Sequence, residues 1–130
     1  MGTTDSLVQA ALAARERAHA PFSKFKVGAA VEDENGRVFT GCNVENATYG
    51  LTICAERVAV FKAISEGAGK IRRVAVVADT EVLTPPCGAC RQILWEFCGD
   101  VEVVLANLDG DRESVALAEL LPRAFDASFL

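Results

Sequence analysis

The sequence predicts an α/β fold in which a central sheet carries helices on its faces. Two observations predict it. Helical and strand patterns follow one another in the order α, β-hairpin, α, β, α, β, α, and the later strands are short apolar runs typical of a sheet centre. The strand–helix–strand stretches favour right-handed crossovers. The 130 residues fit one domain, residues 1–130, which can bury roughly two-thirds of its unfolded surface.

The first part of the chain is predicted to be a helix followed by a hairpin. Thr4 can cap a helix that runs to about residue 18, because apolar residues recur near helical spacing, and Pro21 ends it. A strand rich in small residues follows over 26–32. The Asn-Gly pair at 35–36 is a hairpin turn signal, so a second strand returns over 37–44.

The rest of the chain alternates between helices and apolar strands. The segment 54–66 is predicted to be a buried helix that Gly67 closes. Pro85 and Pro86 break the chain before the next helix. The remaining predicted elements are a strand over 74–78, a helix over 88–97, a strand over 101–106, a turn at 109–110 and a helix over 117–121.

Composition excludes several classes of function. The net charge of −5 and the pI of about 4.9 argue against a nucleic-acid partner, since binding one depends on basic residues, and favour a small neutral substrate. No stretch approaches the ~20 apolar residues of a membrane span, and the N-terminus lacks the pattern of a secretory signal. We therefore expect a cytoplasmic protein whose five cysteines are reduced thiols or metal ligands.

Cys87 and Cys90 form the first candidate metal motif. They stand three residues apart at the start of a predicted helix, so both sulfurs can reach one ion. The helix N-terminus favours negative charge and so lowers thiol pKa values, and zinc binds thiolates tetrahedrally. The pair alone could also be a redox centre, half of a structural zinc site or two small buried hydrophobes. Cys42, Cys54 and Cys98 could supply further ligands, so a structural site with four cysteine ligands is a further alternative.

Cys54 and Glu56 favour a catalytic metal site over these alternatives. Cys54 also opens a predicted helix, and Glu56 follows two residues later. Two residues on a helix point about 200° apart, so Glu56 is a poor ligand but could lie beside the ion if Cys54 occupies the non-helical cap position. A carboxylate in that place could carry protons for a zinc-bound water. The alternative is an acid that merely stabilises its helix N-terminus.

Three thiolates would leave a surplus negative charge on a zinc site, which weakens the acidification of water. Arg57 and Arg91, each next to a site residue in sequence, are candidates to hydrogen-bond the sulfurs; the alternative is that both face solvent. The single histidine, His19, lies far from these motifs and is predicted to be a surface residue.

At these residues the sequence resembles the small homotetrameric, zinc-dependent cytidine deaminases, a class with three cysteine or histidine ligands, an unligated glutamate and a Pro-Cys-x-x-Cys motif. The resemblance covers nearly the whole chain. The similar segments are 21–25, 27–30, 41–46, 52–57, 86–92, Leu120-Leu121-Pro122 and Phe125.

The resemblance implies an α/β/α three-layer sandwich with a mixed five-stranded sheet, assembled as a homotetramer. It implies hydrolytic deamination of free cytidine and 2′-deoxycytidine to uridine and 2′-deoxyuridine, with release of ammonia by a zinc-activated water, in pyrimidine salvage. One Zn²⁺ per subunit would lie on Cys54, Cys87 and Cys90, with Glu56 as proton shuttle. Arg57 would offset thiolate charge.

The resemblance also implies the residues that bind substrate. Asn43 and Glu45 would hydrogen-bond the ribose 3′-hydroxyl, while Phe25 and Ala55 would contact the nucleoside. Neighbouring subunits would lend Ala47, Tyr49 and Phe125. From the pattern alone, Asn43 and Glu45 are more typical of turn formers, and Phe25 of a core residue.

The sequence departs from the family pattern at one position, and two other functions are compatible with it. Ala116 occupies the place where the family commonly has a hydroxyl cap for its last helix, so the start of that helix is in doubt. The substrate could instead be a modified cytosine nucleoside such as blasticidin S. From a different class, the chain could be a non-catalytic interaction domain stabilised by a closed zinc site.

Overall fold

Five strands form one mixed sheet in a computed structural model that describes residues 4–130. The spatial order is β2-β1-β3-β4-β5; β3 and β4 run parallel, and the other neighbouring pairs are antiparallel. The strands are β1 (Val27–Asp33), β2 (Val38–Cys42), β3 (Ile71–Ala78), β4 (Glu102–Ala106) and β5 (Arg112–Ala116).

Helices cover both faces of the sheet, so the predicted three-layer α/β/α sandwich is confirmed. Helix α1 (Thr4–Arg15) packs on one face, and α2 (Ala55–Ser65), α3 (Gly88–Cys98) and α4 (Leu117–Leu120) pack on the other. A hydrophobic core lies on each face of the sheet. Successive residues of each central strand point alternately into one core and the other, as the two-residue period of a strand requires. On β3, for instance, Val74 and Val76 face α2 and α3, while Ala75 and Val77 face α1.

Helix α2, which carries Cys54 at its start, lies directly against the backbone of β2 at Gly41. A Cβ added at Gly41 would stand 2.5 Å from the backbone nitrogen of Ala59 and 2.6 Å from the carbonyl oxygen of Ala55. Glycine is therefore required for the close approach that places the start of α2 on the sheet.

We expect Gly41→Ala to lower the free energy of unfolding by ~1–3 kcal/mol or more, because backbone atoms cannot yield to the added methyl group. Urea denaturation checks this. Gly50→Ala is the matched control, since a Cβ there would meet nothing within 4 Å. Equal stability of the two variants would contradict the close-packing account.

The largest differences from the expected elements occur at α1, β3 and β5. Strand β3 begins at Ile71 rather than at residue 74, because Arg72 and Arg73 interrupt its apolar run. Helix α1 ends at Arg15 rather than near residue 18, and the chain leaves it so that the backbone of His19 can pair with residues 43–45. Strand β5 was absent from the expected pattern, although the implied count of five strands is confirmed. It is a polar edge strand, largely exposed, so it lacks the apolar alternation that marks a strand in sequence.

The start of α4 is stabilised without a hydroxyl cap. Ala116 is its N-cap and makes no side-chain bond, but Asp100 accepts a hydrogen bond from the backbone N–H of Ala118 at 2.8 Å. Glu119 accepts a second from the N–H of Ala116 at 3.3 Å. One carboxylate from outside the helix and one from within it thus accept N–H groups at the start of α4, and the departure at Ala116 leaves the helix start intact.

Within residues 4–130, no helix combines the length and the apolar character that crossing a membrane requires.

Candidate metal centre

The N-termini of α2 and α3 bring the three predicted cysteine ligands together. Cys54 is the N-cap of α2, Cys87 is the N-cap of α3, and Cys90 lies in the first turn of α3. All three sulfurs lie within 4.8 Å of one another, and those of Cys54 and Cys87 are 3.9 Å apart. Cys54 has the extended backbone conformation of an N-cap residue, and the placement of Glu56 beside the cluster depends on that conformation.

The three sulfurs fit a zinc ion. Zinc–sulfur bonds of ~2.3 Å in a tetrahedron separate neighbouring sulfurs by ~3.8 Å. The observed 3.9 Å between Cys54 and Cys87 matches that spacing. In the part of the chain that the structure describes, this cluster contains no fourth histidine, cysteine, aspartate or glutamate. A metal held here would therefore keep one corner free, as catalytic zinc sites do.

The surroundings of the cluster favour a thiolate at Cys54 and disfavour a second one at Cys90. Hydrogen bonds from Cys90 and from Arg57 lower the pKa of Cys54 to about 5. The Arg57 Nη2 donates to the Cys54 sulfur at 3.4 Å, so this arginine occupies the predicted place. The hydrogen bond with Cys54 and burial raise the pKa of Cys90, because a second negative charge in the cluster is costly without a metal.

Glu56 lies beside the cluster and outside it. It is the second residue of α2, is only 4% exposed, and lines a cavity of about 170 Å³ together with Cys54 and Cys87. Burial raises the pKa of its carboxyl group to about 7. The cavity thus presents two of the sulfurs and a buried carboxyl group to whatever enters it.

The remaining candidate ligands lie elsewhere. Cys42, Cys98 and His19 are outside the cluster. Burial raises the pKa of the Cys98 thiol to about 12, as expected for a core cysteine. His19 is exposed, as predicted, and its backbone pairs with the loop after β2.

The suggestion that Arg91 hydrogen-bonds a sulfur is wrong. Its Nε donates to the carbonyl oxygen of Pro86 at 2.7 Å, and its Nη1 donates to that of Leu120 at 2.7 Å. Arg91 therefore secures the peptide just before Cys87 to the end of α4. Spacing could not show this, because Leu120 lies 29 residues away in sequence.

The predicted substrate residues divide between two adjoining concave surfaces. Phe25, Asn43 and Ala55 line the metal cavity, and Phe25 is 41% exposed rather than a core residue. Glu45 lines a neighbouring groove of about 430 Å³, together with Tyr49. Thr52 lines both the cavity and the groove, so the two adjoin.

Asn43 also organises the chain around the cavity. Its Oδ1 accepts a hydrogen bond from the N–H of Val27 at 2.9 Å, and its Nδ2 donates to the carbonyl oxygen of Phe25 at 2.7 Å. These bonds fix the backbone on both sides of Lys26. An asparagine that leaves a strand thus serves as more than the turn former that its sequence context suggests.

The three residues that the resemblance assigns to neighbouring subunits lie outside the lining of the metal cavity. Ala47, Tyr49 and Phe125 are all exposed, and the last two have 76% and 58% of their surface accessible. Five further residues line the cavity. The sequence offered no role for them, because they come from separate strands and loops. These are Val27, Thr52, Val76, Thr84 and Pro85.

Comparisons with known proteins agree with this geometry. The family model described as the cytidine and deoxycytidylate deaminase zinc-binding region matches residues 1–107. A cytidine deaminase of Halalkalibacterium halodurans is 53% identical over 122 residues, which cover 93% of this chain and 92% of that protein. The crystal structure of a cytidine deaminase from Burkholderia pseudomallei has a TM-score of 0.92 at 50% identity, covering 95% of this chain and all of that one.

A second solved structure gives the same result. The cytidine deaminase of Mycobacterium tuberculosis superimposes with a TM-score of 0.85 at 39% identity, covering 97% of this chain and 99% of that chain. The α/β/α sandwich, the three clustered thiols and the adjacent carboxyl group outside the cluster define a zinc-dependent nucleobase deaminase. Within that class, the chain belongs to the cytidine deaminase family, and zinc is its cofactor.

Proposed function

We propose that this protein hydrolyses the exocyclic amine of free cytidine and 2′-deoxycytidine, giving uridine or 2′-deoxyuridine and ammonia, as a step of pyrimidine salvage. The observation that carries the proposal is the buried carboxyl group of Glu56 beside three sulfurs that leave a fourth corner free. The relatives of Halalkalibacterium halodurans and Burkholderia pseudomallei, both named cytidine deaminases, support the choice of substrate.

The proposed chemistry depends on one proton carrier. Bound zinc, held by Cys54, Cys87 and Cys90, would lower the pKa of a water to ~7 and so supply the nucleophile for C4 of the base. Glu56 accepts the proton that this water loses and delivers it to N3. Glu56 then takes the proton of the hydroxyl group now on C4 and gives it to the amino group, which leaves as ammonia while C4 becomes the carbonyl carbon of the uracil ring. Burial keeps this carboxyl group away from bulk water, so the proton stays at the site of reaction.

Arg57 and the two helix N-termini would offset the surplus thiolate charge. The Arg57 guanidinium already donates to the Cys54 sulfur, and its Nε is buried without an acceptor among residues 4–130. A positive group in this place withdraws electron density from the sulfur, and the metal then acidifies water more strongly.

The lining of the cavity favours an uncharged nucleoside over a nucleotide. Among the described residues that line it, Glu56 is the one carboxylic acid and there is no lysine or arginine to bind a phosphate. Phe25, Val27 and Val76 give it apolar walls suited to a pyrimidine ring. Asn43 in the cavity and Glu45 in the adjoining groove would receive the sugar hydroxyl.

We propose further that neighbouring subunits of a homotetramer complete each site. The single-chain cavity of about 170 Å³ is smaller than the ~300–1,000 Å³ of most ligand sites. Helix α3 holds the C-terminal segment in place, since Gln92 donates to the carbonyl oxygen of Phe125 at 2.7 Å and Trp95 to the carboxylate of Asp126 at 3.1 Å. Phe125 is thereby presented outward, as are Ala47 and Tyr49, for an adjacent copy.

Light scattering on the zinc-loaded protein tests the assembly. We expect a tetramer at the concentrations at which the enzyme is active, because a cavity completed by a neighbour cannot work alone. A stable monomer with full activity would contradict the shared site.

The proposed compartment is the cytoplasm. All five cysteines are free thiols, which suits a reducing environment. The absence of a disulfide leaves the three thiols of the cluster available for metal.

A substrate panel tests the proposed reaction. Cytidine, 2′-deoxycytidine, deoxycytidylate, blasticidin S and adenosine would each be incubated with protein of measured zinc content, with ammonia release as the readout. We expect turnover of the first two. Turnover of blasticidin S alone would assign the protein to modified nucleosides. Failure of a hydrated-pyrimidine transition-state analogue to bind would favour the non-catalytic zinc domain, since such analogues bind far more tightly than substrates.

A further inference from the structure

The Glu45 carboxylate receives three hydrogen bonds from the loop that precedes β1. Its Oε1 accepts the backbone N–H groups of Phe22 at 2.9 Å and of Ser23 at 3.1 Å. Its Oε2 accepts the hydroxyl of Ser23. The Ser23 hydroxyl oxygen in turn accepts the N–H of Phe25 at 3.0 Å. One serine side chain therefore joins the carboxylate of Glu45 to the residue that lines the metal cavity.

Most of the bonds that hold the loop do not involve the Ser23 side chain. The two backbone N–H groups on Oε1 tie the loop to Glu45 and do not depend on the serine side chain. The loop also contains Lys24 with a positive φ of 61°, a conformation that persists only where its surroundings hold it. The N–H of Lys24 also donates to the carbonyl oxygen of Ala20 at 3.0 Å, again without the serine side chain. The Ser23 hydroxyl adds one bond within the loop, from the N–H of Phe25, and it is the donor that orients Oε2.

The Glu45 carboxylate can accept one more hydrogen bond after it has bound the Ser23 hydroxyl. Each carboxylate oxygen has about two acceptor positions. Those of Oε1 are filled by the two N–H groups, while Oε2 has one left after binding the Ser23 hydroxyl. Glu45 and Ser23 both line the groove that meets the metal cavity at Thr52. Glu45 thus keeps one acceptor position in a groove that adjoins the cavity, within reach of a sugar attached to a base bound there.

We propose that Ser23 is a positioning residue that aims the free acceptor position of Glu45 at a hydroxyl of the nucleoside sugar. This inference rests on the proposed function and adds a residue for which the sequence offered no role. It predicts an effect on substrate binding that depends on the sugar hydroxyl, rather than an effect on the chemistry at the metal.

The test compares Ser23→Ala with Ser23→Thr, which keeps the hydroxyl, in steady-state kinetics. We expect Ser23→Ala to raise KM for cytidine about tenfold, the usual scale for losing a charge-assisted hydrogen bond, with kcat within about twofold of wild type. Ser23→Thr should restore most of the affinity. Ser65→Ala is the matched control, because its hydroxyl bonds the carbonyl oxygen of Lys62 at the far end of α2.

A second substrate separates positioning from a structural role. With 3′-deoxycytidine, which lacks the hydroxyl that Glu45 would receive, we expect equal KM values for wild type and Ser23→Ala. An equal rise in KM for both substrates, or no rise for either, would overturn the inference. Denaturation midpoints and circular dichroism show whether each variant folds. Absence of wild-type turnover on any cytosine nucleoside would instead overturn the proposed function itself.

Discussion

Replacing Glu56 by glutamine is expected to abolish most turnover of cytidine while leaving the zinc content unchanged. The amide keeps the size of the buried side chain and cannot accept a proton, so the transfer to N3 loses its carrier. General acid–base catalysis of this kind typically contributes ~10²–10⁴-fold, and we expect a loss of kcat in that range. Ammonia release at saturating substrate, with zinc measured in the same sample, checks both parts.

Glu96→Gln is the matched control for that experiment. Glu96 is an exposed acid on α3 and lies outside the lining of the metal cavity, so the same chemical change there should leave kcat at the wild-type level. Wild-type rates in Glu56→Gln would contradict the assignment of the proton shuttle. Loss of zinc in that variant would show instead that the carboxylate binds the metal.

Alanine at Cys87 or at Cys90 is expected to remove the metal and, with it, all measurable activity. Two thiolates hold zinc far less firmly than three, and both sulfurs belong to the one cluster that the described residues form. Because zinc binds the folded chain, its loss should also lower the thermal midpoint of the variants relative to the zinc-loaded wild type. Metal analysis of purified protein should give about one zinc per wild-type subunit and almost none in either variant.

Cys98→Ala distinguishes the loss of a ligand from the loss of a cysteine. Cys98 lies on the same helix as Cys90, is buried, and stands outside the cluster. This variant should keep its zinc and its activity, at a modest cost in stability from the small cavity. Full zinc occupancy in Cys87→Ala or Cys90→Ala would contradict the ligand assignment.

The parts of the site that the sequence predicts are those fixed by local geometry. The spacing of Cys87 and Cys90 places both sulfurs at one helix N-terminus whatever the rest of the fold does. Cys54 at a cap position likewise allows Glu56 to lie beside the cluster, in the lining of the same cavity. The strong apolar runs of β3 and β4 similarly made the centre of the sheet predictable.

The parts that the sequence does not predict depend on contacts between distant segments. Arg91 has the right spacing to reach a sulfur, but the carbonyl of Leu120 competes for it only in the folded chain. Strand β5 is exposed on one edge, so no apolar period marks it. Ser23 acquires its role from Glu45, which is 22 residues away in sequence. The contacts of Arg91, the position of β5 and the role of Ser23 could therefore be recognised only from the tertiary structure.

X-ray absorption at the zinc edge of the purified wild-type protein tests the central claim most directly. The account predicts three sulfur ligands at ~2.3 Å and a single oxygen or nitrogen ligand, because three cysteines surround the metal and one corner is free. Four sulfur ligands, with Cys42 or Cys98 recruited to close the site, would contradict it, as would the absence of zinc.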